Sequence, residues 1–194
     1  MRRALWVLVG LLVARPCAAE EPKRFIPIVG TEIGQTWERL SVTFDGMEQH
    51  EDRALWNTRI VAGLSASLPA LGSFATRADT SVGFGVVYHT GHGHLDVREA
   101  LLLDVPIAAG FSVPIGLGAG MVIDTASAAR SAFEPSAVVG FRYRFVELLY
   151  RPSYSVPLGS EDRRVFTGSR ELSARPGLSP VDLALRFHLT GLGF

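Results

Sequence analysis

A chain of 194 residues in which 19 Lys and Arg are matched by 19 Asp and Glu carries no formal net charge. That removes the electrostatic case for a nucleic-acid partner. Hydrophobic residues make up 47% of it, spread by alternation rather than in blocks, and the only cysteine is Cys17, so no disulfide framework is available.

The chain opens Met1-Arg2-Arg3, continues with the apolar run Ala4 to Val13, and reaches small residues at Cys17-Ala18-Ala19. This is the layout of a secretory signal peptide. Cleavage is expected before Glu20, giving a signal over 1–19 and a mature domain over 20–194. The apolar run is too short to span a bilayer as a helix. A lipoprotein reading of Cys17 is disfavoured by Pro16, where a small residue is needed.

Phe25 to Gln35 reads as a first strand, with apolar residues on both parities so that its faces stay open. Trp37 to Phe44 extends it. Asp45-Gly46 is a turn signal and Met47 to Arg53 reads as polar loop. Leu55 to Leu68 is a second strand, with Trp56, Ile60, Ala62 and Leu64 on one face and Asn57, Arg59, Gly63 and Ser65 on the other. Pro69 to Asp79 reads as a connection. Thr80 to Thr90 is a third strand, with Val82, Phe84 and Val86 opposite Ser81, Gly83 and Gly85.

Leu101 to Asp124 is apolar enough to suggest a membrane helix, but its prolines and glycines forbid one. At period two it becomes two strands, His94 to Ile107 and Phe111 to Asp124, around a tight turn. One face is Leu101, Leu103, Val105, then Phe111, Val113, Ile115, Leu117. The other holds Asp104, Ser112, Pro114, Gly116, Gly118 and Gly120. A wholly apolar face opposite a small, polar one is the pattern of a transmembrane β-hairpin. Phe133 to Phe145, Glu147 to Val156 and Val181 to Leu189 continue the pattern as strands six to eight, and Pro157 to Ser179 reads as the longest loop.

The expected fold is all-β, an eight-stranded antiparallel transmembrane up-and-down β-barrel. Connections after strands one, five and seven are polar and mostly long, and those after four and six are very short, an asymmetry of outer-membrane barrels. The architecture of the whole mature chain resembles the small eight-stranded outer-membrane barrels of Gram-negative bacteria, the group with OmpA-like, OmpX-like and OmpW-like members. The resemblance implies residence in the outer membrane among its lipids, including lipopolysaccharide. It also implies recognition of the C-terminal strand by the barrel-assembly machinery. Either Phe187 or Phe194 is the closing aromatic. No cofactor is implied, and a monomer is expected.

The inward faces are expected to carry the acids Glu32, Asp96, Asp104, Glu134, Glu147 and Asp182, and the bases Arg59, Arg98, Arg142, Arg144, Arg151 and Arg186. Eight strands enclose an interior just wide enough for side chains, and charges there must pair. The expectation is a plugged lumen in a non-enzymatic, surface-binding barrel. A narrow pore for small solutes is the rival. His89, His92 and His94 stand as a weak metal-binding set at one hairpin tip. A lipid hydrolase would need His, Ser and a carboxylate together at the outer rim. Ser153 and Ser155 have no nearby histidine, which leaves His89, Ser81 and Glu99 as the candidates. A soluble secreted β-sandwich is the remaining alternative.

Overall fold

The computed structural model describes residues 25–88, 90–125, 131–165 and 168–190; the expected signal peptide and Phe194 lie outside them. Twelve strands are present among the described residues: β1 Phe25–Phe44, β2 Met47–Leu71, β3 Phe74–Val87, β4 Gly93–Ala108, β5 Phe111–Asp124, β6 Ala132–Tyr143, β7 Val146–Tyr150, β8 Ser153–Pro157, β9 Ser160–Val165, β10 Gly168–Ala174, β11 Gly177–Ser179 and β12 Asp182–His188. They form eight staves. β7 and β8 are one stave, because Val139↔Tyr150 and Ser136↔Ser153 keep a single register across the gap at Arg151-Pro152. Pro152 interrupts the ladder by lacking an N–H. β11 and β12 likewise run together as the eighth stave, pairing β8 and β7. β1 pairs β2 on one side and β12 on the other. The sheet is therefore a closed ring with no edge at the level of the staves, the condition for a sheet to stand in hydrocarbon.

The ring turns opposite faces to the two environments along each strand. Outward residues are apolar and exposed, among them Ile60, Phe84, Leu101, Leu117 and Phe141. Inward residues are buried and mostly polar. A sandwich would bury both apolar faces, so this arrangement excludes one. The faces of β1 are now fixed: Ile28, Glu32, Gly34 and Glu38 point in, and Val29, Ile33 and Gln35 point out.

Several boundaries differ from expectation. Pro69 to Asp79 is not a connector: β2 and β3 continue to a two-residue turn at Gly72-Ser73 with Leu71↔Phe74 as the last pair. This places three two-residue turns at one end, with Ala109-Gly110 and Arg144-Phe145. Met47 to Arg53 is strand rather than loop. Asp45 and Gly46 both have positive φ, 52° and 78°, the type I′ geometry that continues a hairpin. Pairing then runs unbroken from Phe44↔Met47 to Phe25↔Ala66. Pro157 to Ser179 also contains structure. β9 and β10 form a hairpin, and β10 pairs the upper half of β1 from Glu38↔Ala174 to Phe44↔Gly168. The end opposite the short turns thus carries a small sheet, β9-β10-β1-β2, rising beyond the barrel.

Glycine shapes the hairpin β4–β5. A Cβ on Gly116 would overlap the carbonyl oxygen of Leu101, and one on Gly120 would sit 2.8 Å from Cγ of Arg98. Gly120 makes room for an arginine. Gly116 instead permits a close approach of backbone and of Leu102.

Candidate functional site: the lumen and the outer sheet

The inward side chains meet in two charged groups. In the group toward the end opposite the short turns, Arg59 contacts Asp96 at 2.5 Å, Asp182 at 2.9 Å and Glu32 at 3.3 Å. Arg98 contacts Asp96, Glu134 and Asp182 at 2.8, 2.9 and 3.3 Å. Arg151 bridges Glu32 and Asp182, and Arg186 donates to Glu32 at 2.9 Å. These residues come from β1, β2, β4, β6, β12 and the Arg151 break, so the network ties distant staves together. Arg59, Glu32, Asp96 and Arg186 are each no more than 2% exposed.

The second group lies nearer the short turns. Arg77 pairs with Asp79 at 2.7 Å, Asp104 at 3.2 Å and Glu147. His188 Nε2 lies 3.2 Å from Glu147, and Ser65 donates to Asp79 at 2.7 Å. Arg142 reaches Asp104 at 3.3 Å, a meeting that Asp104↔Pro114 and Ser112↔Arg142 prepare. Arg186, 3.7 Å from Asp79, links the two groups along the β3 wall. On the other wall Leu102, Val138, Leu149 and Ala184 form an apolar patch between them.

Arg144 is a correction. Expected inside, it is exposed in the turn after β6, with positive φ (54°) and its guanidinium 5.3 Å above the ring of Tyr143. The inward parity of β6 ends at Arg142, because the strand ends at Tyr143. Arg77 and Asp79 are the residues that sequence reading missed. They share the parity of Ser81, Gly83 and Gly85, and that was the available signal. Among the described residues the two groups therefore hold six arginines against seven acids rather than six against six, and Glu38 and Asp124 are two further acids buried on the inward face. Two voids lined by lumen residues measure about 20 Å³ and about 10 Å³, room for a water each.

The candidates for metal and hydrolase chemistry are not gathered. His94 is buried, facing inward near Asp96, His92 is half-buried, and His89 lies outside the described residues. Among the described residues no group of three His, Cys, Asp or Glu is placed to hold a metal ion. Ser81, Ser153 and Ser155 are buried on the lumen side, whereas Glu99 faces outward. Ser81 and Glu99 thus stand on opposite faces of the wall.

The outer sheet is pinned at its base. Arg39 makes a bidentate pair with Asp52, Nε at 2.9 Å and the second nitrogen at 3.2 Å. Arg175 Nε approaches Asp52 to 2.9 Å, and its guanidinium lies 5.0 Å above Trp37. Hydrogen bonding from Arg39 holds the Asp52 carboxyl below its ordinary value. A carboxyl lowered in the folded state stabilises above its unfolded value, about 4, and that contribution is lost as pH falls through the lowered folded value. The groups are partly exposed, so the effect is below about 1 kcal/mol. Protection factors of the β1–β2 ribbon amides, corrected for the intrinsic exchange rate at each pH, should fall between pH 7 and pH 3, and Asp52→Asn should abolish most of that dependence. An unchanged pH profile in Asp52→Asn would remove the pair from the account.

No family model matches the chain, and no curated protein matches it by sequence. Solved structures do. Neisserial surface protein A aligns with a TM-score of 0.43 at 11% identity, over 83% of this chain and 96% of that one. The outer membrane protein OprG from Pseudomonas aeruginosa aligns with a TM-score of 0.40 at 13% identity, over 84% and 95%. Ail, the attachment invasion locus protein of Yersinia pestis, aligns with a TM-score of 0.22 at 10% identity, over 84% and 97%.

Proposed function

We propose that the chain is a non-enzymatic barrel of the outer membrane with a closed lumen, which holds a β-sheet above the lipid as its contact surface. The observation that carries this reading is the opposition of the two faces. Outside, the belt is apolar, as hydrocarbon requires. Inside, arginines and acids from nearly every stave pair across the axis and leave voids of about 20 and 10 Å³.

The short-turn end faces the periplasm and the sheet end faces outward, following the usual asymmetry of such barrels. Outer-membrane lipids, lipopolysaccharide among them, surround the belt. The assembly machinery engages the last stave, in which Phe187 faces outward. The serines considered for hydrolysis are buried in the lumen, away from any lipid substrate, which supports a role without catalysis. The barrel works as a monomer in this reading, since the ring of staves closes within one chain.

Trypsin added to intact cells tests the orientation. Arg39 and Arg53 lie on the β1–β2 ribbon, and cleavage there is expected from outside while the staves stay protected. Cleavage only after the outer membrane is permeabilised would overturn the reading.

A further inference from the structure

Glu99 departs from the rule that the rest of the belt obeys. On the outward face of β4 it sits between Val97 and Leu101, with Leu95 above and Leu103, Val105 and Ile107 below. Among the described residues it is the only charged side chain on the outward face of the staves. Its cross-strand neighbours are Thr80 on β3 and Ala119 on β5. Neither the Glu99 nor the Thr80 side chain has a hydrogen bond or ion pair among the described residues. Arg98, the next residue, points inward and is held by Asp96 and Glu134 at 2.8 and 2.9 Å.

The wall around Glu99 is concave. Ala78, Ala100, Gly118 and Ala119 leave a depression of about 380 Å³. Leu101 and Leu117, 63% and 72% exposed, stand at its rim. A carboxyl facing hydrocarbon is costly unless it meets a partner, and such residues mark sites. A concave, mainly apolar hollow with a few polar groups is also the form that small-molecule sites take, at volumes of about 300–1,000 Å³.

We propose that this depression binds an amphiphile bearing a primary ammonium group, entering sideways from the bilayer. The ammonium donates to the Glu99 carboxylate and to the Thr80 hydroxyl oxygen, and the hydrocarbon tail lies along Leu101 and Leu117. Charge complementarity selects the ligand class. A second copy of the chain brings no cation, since its belt has none among the described residues.

The test uses the full protein in phosphatidylcholine nanodiscs, titrated with dodecylamine and separately with dodecanol. Saturable shifts of the Thr80, Glu99 and Ala119 amide resonances are expected with the amine and not with the alcohol. In Glu99→Gln the amine should bind about tenfold more weakly, the effect of losing one charge-assisted hydrogen bond. Equal shifts with both amphiphiles, or none with the amine, overturn the proposal. A dimeric mass by ultracentrifugation with Glu99 resonances already insensitive to the amine does so too. Should Glu99→Gln fail to fold, the amine-against-alcohol comparison on the unmodified chain still decides.

Discussion

Replacing Asp182 by alanine should lower the unfolding free energy by about 3–5 kcal/mol, the cost of leaving buried charge uncompensated. Asp182 receives Arg59, Arg98 and Arg151 at 2.9, 3.3 and 2.9 Å. With Glu32 it is one of the two acids that three lumen arginines share. Removing it leaves Arg151 with Glu32 alone, while Glu32 already serves Arg59 and Arg186. The loss therefore spreads through the whole outer group. Urea unfolding in lipid vesicles measures it as a lowered midpoint. Asp182→Ala combined with Arg151→Ala should recover part of the loss, because it removes a cation together with its acid. Asp104→Leu supplies the contrast. Asp104 lies toward the short turns, and one of its partners, Arg142, is 19% exposed in its side chain. Water relieves that arginine, so the cost there is about 1–2 kcal/mol. Equal effects at the two sites would mean that the lumen is wetter than the geometry allows.

How much of this network is legible in the sequence depends on what each face touches. Leu101, Leu103, Ile115 and Leu117 announce themselves because hydrocarbon demands an apolar residue at every second position. The inward partners of such positions, Asp104 and the glycines, follow by parity alone. Arg77 and Asp79 escape because Pro69, Gly72 and Ser73 read as loop, and because Thr76, Ala78 and Thr80 are too weakly apolar to announce a lipid face. Arg144 errs in the opposite sense: alternation continues on paper past Tyr143, where the chain has already turned. The β1–β2 ribbon leaves no period-two trace, since neither of its faces meets lipid, and only Asp45-Gly46 betrays it. Pairing distances across the axis, such as Arg59 to Asp182, are set by barrel closure and shear, which no local pattern encodes.

In planar bilayers the unmodified protein should pass no resolved current, because side chains from several staves meet across its axis. Arg98 reaches from β4 to Asp182 on the opposite stave, β12, Arg59 reaches from β2 to Asp182 and to Asp96 on β4, and Arg186 holds Glu32 on the neighbouring β1. An ion entering from the outer mouth would have to displace these contacts, and each contact is charge-assisted. The quadruple variant Glu32→Ser, Arg59→Ser, Asp96→Ser and Arg186→Ser removes two acids and two bases at once. Arg98 keeps Glu134 and Asp182, and Arg151 keeps Asp182, so no large excess of one sign is left behind. This variant should fold, as judged by heat-modifiable gel mobility, and should show discrete current steps where the unmodified chain shows none. The apolar patch of Leu102, Val138 and Leu149 still narrows one wall below the opened layer and should keep those steps small, since apolar constrictions dewet. Adding Leu149→Ser should then raise the current further. Steps of the same size in the unmodified chain would replace the closed barrel with the narrow-pore reading. A folded but silent quadruple variant would place the barrier at the apolar patch rather than in the charges.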